Sequence, residues 1–191
     1  MGFDLYGMNP QTNTSPPIVT DWDDKDAVMA YHDYQHETPG AYFRANVRFW
    51  RPIWSFVCGS CDDILTERDI EAGSYNDGHK ISKTKAKRIA ARLRKLDKKG
   101  TIQVWEDSMN VFIEEAKEHN KIVQAKMDKI SEQCKSKHGY HLVPAEYPEP
   151  YKTQWNNAQQ EEEFGSHYPA SRNEIMRFSE FCEQSGGFEI C

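Results

Sequence analysis

The chain has 191 residues, of which 38% are hydrophobic and 28% charged, with a net charge of −6 and 5 Trp, 9 Tyr and 9 Phe. That length fits one domain of about 100–200 residues, and the aromatic content is too high for a disordered chain. No apolar run nears the roughly 18 residues that cross a bilayer, and 5 cysteines make an odd, sparse set unsuited to a disulfide framework, so the composition points to a cytoplasmic protein with no membrane partner.

The first residues alternate apolar and polar over 3–6 and meet Gly7 and Asn9-Pro10, which predicts a short strand and a turn. Residues 11–20 are rich in Asn, Thr, Ser and Pro and read as loop. Acids at Asp21, Asp23, Asp24 and Asp26 open a helix over 27–35 that Pro39-Gly40 ends. The stretch 42–57 is the most apolar. Pro52 suits a helix's first turn, so a helix is expected from Pro52 to about Ile64, with 42–50 open to strand or helix.

Gly73-Ser-Tyr-Asn-Asp-Gly78 is a turn. Ser82 caps a helix whose apolar stripe is Ala86, Ile89, Ala90, Leu93 and Leu96 and which Gly100 stops. A second helix is expected from about Ser108 to Gly139, and 140–169, with few aliphatics, as an irregular excursion. Ser171-x-x-Glu174 opens a last helix. Gly186-Gly187 breaks it, so that 188–190 can return as a strand beside 3–6. The sum is an α+β fold, mostly α-helical, with four to five helices and a small sheet formed by the terminal segments, in one domain spanning 1–191.

Candidate chemistry falls in five places. The segment from Tyr42 to Trp54 interleaves arginines with aromatics, and Arg44, Trp50, Arg51 and Trp54 could stack a base or grip an anion; the same residues would equally serve a core. Asn76, Asp77, His79 and Lys80 crowd polar groups into a turn before a helix N-terminus, a setting that attracts anions. The basic run from Lys80 to Gly100 holds ten Lys/Arg against Asp97 alone, which could sit on nucleic-acid phosphates or be an ordinary solvated face. Cys58-Gly-Ser-Cys61 has the spacing of half a zinc site and would need Cys182, Cys191 or a histidine to complete it; two buried thiols are the plainer reading. His32 and His36 share a helix face without the zincin pattern, since Asp33 follows the first histidine. No Walker loop, Rossmann fingerprint, EF-hand or Gly-x-Ser-x-Gly elbow is present, so no cofactor is expected beyond zinc.

Four blocks together carry a resemblance: Gly2-Phe-Asp-Leu-Tyr-Gly-Met-Asn-Pro10; Tyr42-Phe-Arg44 through Arg51-Pro-Ile-Trp54; Tyr75-Asn-Asp-Gly-His-Lys-Ile-Ser82; and Phe181-Cys-Glu-Gln-Ser-Gly-Gly-Phe-Glu-Ile-Cys191. About half the chain in this way resembles an uncharacterised family of small proteins encoded by bacteriophages and bacteria. Relatives carry a Cys- and Gly-rich insert that this chain lacks between Gly100 and Pro169, where Cys134 stands alone, and residues 11–39 look like an insertion. The resemblance implies a phage protein working in the host cytoplasm, with interference in host defence as its context.

The leading expectation is therefore a non-catalytic binding protein for an anionic, nucleotide-like small molecule or a host protein, its surface built from Arg44 to Trp54 and Asn76 to Lys80. An enzyme acting on nucleotide or nucleic acid through His79 and Asp77, and a small zinc-stabilised interaction domain, are the alternatives.

Overall fold

The computed structural model describes residues 2–10 and 15–191. Four short strands form one antiparallel sheet in the order β2-β1-β4-β3: β1 (Gly2–Gly7), β2 (Tyr42–Asn46), β3 (His79–Ser82) and β4 (Gly187–Ile190). Seven α-helices accompany them among the described residues: α1 (Lys25–Glu37), α2 (Val47–Ser60), α3 (Glu67–Ala72), α4 (Lys83–Lys98), α5 (Thr101–His138), α6 (Tyr151–Gln159) and α7 (Arg172–Gln184). The fold is α+β and mostly helical. Its central strands are the two terminal segments, with Leu5 opposite Ile190.

The sheet's alternation explains its two faces. Phe3, Leu5, Phe43, Ala45, Ile81, Phe188 and Ile190 point into a core shared with α2, α4 and α7. The other face carries Asp4, Tyr6, Tyr42, Arg44, Lys80 and Glu189, none of them fully buried. In the core, Phe178 of α7 meets Phe43, Trp50 and Phe188 edge-on at 5.5–5.7 Å, an arrangement that adds to what burial alone supplies.

Caps set the boundaries. Asn46 Oδ1 accepts from the backbone N–H groups of Arg48 and Phe49 at 2.9 and 3.1 Å, so α2 starts at Val47 and carries Pro52 inside it. The expected start at Pro52 is thus too late: the burial of Trp50, Ile53, Trp54 and Val57 along α2, together with the Asn46 cap, offsets the backbone hydrogen bond that the proline removes. Gly100, at φ +75°, closes α4, and α5 begins at once at Thr101, ahead of the expected Ser108, because Ile102 is drawn fully into the core and Trp105 packs on Phe56 at 4.9 Å.

Gly186 combines φ +66° with backbone crowding; a Cβ there would lie 2.1 Å from the Asn9 carbonyl oxygen. Gly186→Ala is expected to cost more than about 1 kcal/mol, read from the midpoint of urea unfolding.

The described residues group into two compact units, Met1–Asp107 with Ala170–Cys191, and Ser108–Pro169, where the composition suggests one domain. The second unit has its own small cluster of Val123, Met127, Ile130 and Ala158, flanked by Tyr151 and Trp155. Its stretch 140–169 is less irregular than expected, since it contains α6. Asn120 ties the chain after α6 back to α5 by accepting from Glu163 N–H at 2.8 Å and donating to the Glu163 carbonyl at 3.1 Å. The expected loop at 11–20 and insertion at 11–39 fall partly outside the described residues.

Candidate functional site

The side chain with the most concentrated polar contacts is one the motifs do not single out. Thr66 and Asp69 form a capping box at the head of α3: Thr66 Oγ1 accepts from Asp69 N–H at 3.3 Å, and Asp69 Oδ2 accepts from Thr66 N–H at 2.8 Å and from its hydroxyl at 2.7 Å. The same carboxylate reaches past its own helix. Oδ1 lies 3.0 Å from His79 Nε2 on β3, and Oδ2 accepts from Lys85 Nζ on α4. Asp69 is 4% exposed. Burial pushes its pKa up, but the hydrogen bonds from Lys85, Thr66 and His79 outweigh that and hold the carboxyl well below the usual carboxylate range.

Because a carboxylate only accepts, His79 Nε2 carries the proton and donates to Asp69. Its Nδ1 has no hydrogen-bond partner among the described residues. His79 lines an open depression of about 820 Å³, together with the basic Arg68, Lys80 and Lys85, the acidic Glu71 and Asp77, and Tyr75, a volume within the usual range for small-molecule sites. Arg68 makes no ion pair among the described residues, and Lys80 is loosely paired with Glu189 at 3.5 Å. Tyr75 is exposed at the rim. The basin is assembled by a strand, two helices and the turn between α3 and β3, with Asp69 as their common acceptor.

The expected site residues do not share one cavity. Asp77, His79 and Lys80 are in this basin; Asn76 beside them donates to the Gly2 carbonyl at 3.3 Å. Trp50, Arg51 and Trp54 line a separate depression of about 270 Å³ with Cys58 and Ile70. Both tryptophans are core side chains whose indole N–H groups donate to backbone carbonyls, Trp50 to Gly73 at 2.8 Å and Trp54 to Ile70 at 3.0 Å. They hold α3 in place from the opposite side to the basin's lining. Arg44 lies elsewhere again, on the sheet's open face beside Asp4 at 3.6 Å.

Much of the basic helix is spent internally. Arg92 and Arg88 pair with Asp63, Arg94 with Glu183 and Lys85 with Asp69, leaving Lys83, Lys87, Lys95, Lys98 and Lys99 on its exposed surface. Cys61 is buried and Cys58 half-buried, and burial pushes both thiols up to about 11. Among the described residues no group of three or more His, Cys, Asp or Glu side chains is placed to hold a metal ion.

Thr66, Arg68, Asp69 and Glu71 are basin residues that motif reading misses, while Lys85 is legible only as part of the basic run. The signal was there as Thr66-Glu-Arg-Asp69, but that pattern announces a cap and says nothing about a carboxylate reaching two further elements. No helix among the described residues is long and apolar enough to cross a membrane. Compared with known proteins, the chain matches no family model, no curated protein and no solved structure.

Proposed function

We propose that the chain is a binding protein that takes a small anionic, nucleotide-like molecule in the basin between α3 and β3. The observation that carries this reading is the buried Asp69 fixing His79 and Lys85 on the wall of an open cavity that also presents Arg68 and Lys80. Asp69 neutralises Lys85 and orients the imidazole; Arg68 and Lys80 are left to meet a phosphate, His79 Nδ1, an acceptor in this tautomer, can take a ligand hydroxyl, and Tyr75 offers a ring face to a base. The resemblance of the terminal blocks to a phage family supports a setting in the host cytoplasm, where withholding such a molecule would blunt a host defence.

Calorimetric titration with ADP tests it. Saturable binding is expected, weakened about tenfold by Arg68→Ala and again by Lys80→Ala. Both side chains are exposed, so unfolding midpoints should stay where they are. Heat-silent titrations with ADP, AMP and inorganic phosphate alike would sink the proposal.

The Asp69–His79 hydrogen bond favours a second reading, in which His79 acts as acid–base on the bound nucleotide. That version predicts turnover of ADP seen by mass spectrometry and lost in His79→Gln. Binding without turnover leaves the binding protein.

A further inference from the structure

The open face of the sheet carries a second cleft, remote in composition from the basin. Its volume is about 450 Å³, and its floor is Tyr6 and Tyr42 from β1 and β2, ring centroids 5.4 Å apart. Its far wall is Trp22 and Tyr31, edge to face at 6.2 Å. Trp22 is 68% exposed, so much of its indole faces the open side of the cleft. Four aromatic rings thus bound a cleft that is open between them.

The charged groups around the rings are one carboxylate, Asp4, and one guanidinium, Arg44, and they differ in how far their partners already use them. Tyr42 donates its hydroxyl proton to Asp4 Oδ1, so part of that carboxylate's accepting capacity is already used. Arg44 touches Asp4 only through Nε, at 3.6 Å, and its side chain is 67% exposed. The terminal guanidinium nitrogens have no hydrogen-bond partner among the described residues. Gln35 is buried under the cleft, and its Oε1, an acceptor only, lies 3.3 Å from His32 Nδ1, which must therefore carry the proton. Nε2 of His32 is left without a hydrogen-bond partner among the described residues. His36 stands edge-on to Tyr42 at 6.4 Å.

From this arrangement we infer that the cleft is a binding site for a planar aromatic carboxylate, its ring held among Tyr6, Tyr42, Trp22 and Tyr31 and its carboxylate bridged by the guanidinium of Arg44. Ring faces and edges supply the apolar share of the affinity. A guanidinium fork matches a carboxylate in two parallel hydrogen bonds, which fixes the ring's orientation. An aromatic cage of this kind could also suit a quaternary ammonium. What each charge has left decides against it: Asp4 already accepts from Tyr42 and lies beside Arg44, so a cation would have to compete with both, whereas the exposed end of Arg44 is open to a carboxylate.

The site shares no lining residue with the Asp69 basin, so the two proposals stand or fall separately. The test is calorimetric titration of the full chain with 2-naphthoate, with 2-naphthyltrimethylammonium as the cation of similar ring and with cyclohexanecarboxylate as the non-aromatic acid. Saturable binding of 2-naphthoate is expected with Kd below about 1 mM, about tenfold weaker in Arg44→Gln and again in Trp22→Ala, and unaltered in Arg68→Ala. Both altered side chains are exposed, and circular dichroism of each variant should match the parent. The inference is overturned if the ammonium binds as tightly as the acid, if cyclohexanecarboxylate binds as well as 2-naphthoate, if Arg44→Gln leaves the affinity unchanged, or if no titration saturates.

Discussion

Asp69→Asn is expected to lower unfolding stability by about 3 kcal/mol, because it removes the one negative charge that Lys85 and His79 share in a buried setting. The asparagine keeps the shape and much of the hydrogen bonding to Thr66. The loss isolates the charge, since Lys85 is left with its ammonium partly buried and no counter-ion. Urea unfolding followed by circular dichroism measures it. In a double-mutant cycle, Asp69→Asn with Lys85→Met should cost less than the two single losses added together. Strict additivity would mean that the two side chains do not interact as described.

The sign of the pH dependence follows from the same carboxyl. Its folded pKa lies below the ordinary 3.8, so the unfolded chain binds its proton first as acid is added. The stability it contributes is complete above about pH 5, falls as the pH drops through 3.8, and continues to fall towards the lower folded value. Asp69→Asn should remove that part of the acid sensitivity, flattening the stability profile below pH 4 relative to the parent.

Trp50→Ala is expected to cost about 4 kcal/mol, near the upper end for emptying a core site. The indole is fully buried, stacks on Trp54 at 5.4 Å and on Phe3 at 5.5 Å, and donates to the Gly73 carbonyl. Deleting it opens a cavity beneath α2 and leaves that carbonyl unpaired. Trp50→Phe keeps most of the packing and loses the hydrogen bond, so its cost should be about 1–2 kcal/mol. Neither ligand proposal uses this ring. Trp50→Phe should bind ADP and 2-naphthoate as the parent does, and a selective loss of either affinity would put the indole back in a site.

The fold was readable wherever a residue acts on its own neighbours in the chain. Ser82 caps α4 by accepting from Lys85 N–H, and Ser171 caps α7 by accepting from Glu174 N–H; Gly100 and Gly186 stop helices because their positive φ suits only glycine. Alternation over 3–6, and the break at Gly186-Gly187 that turns 188–190 back, foretold the two strands at the sheet's centre. What failed was also local in kind. Pro52 by itself suits a helix start, but Asn46 caps α2 so that the helix already begins at Val47, and α3 and α6 are too short for periodicity to show.

The sequence by itself determined that this is a mostly helical α+β protein with its terminal strands paired, because caps, breakers and apolar spacing act over a few residues. Only the tertiary structure decided the chemistry: that Asp69 gathers His79 and Lys85, that Trp50 and Trp54 are sealed into the core by their own N–H groups, and that Arg44 faces a different cleft from His79. An arginine–aromatic run has the same letters whether its rings face a ligand or a sheet. Which way they face is fixed by what the far end of the chain packs against them, and that information lies some distance away in sequence.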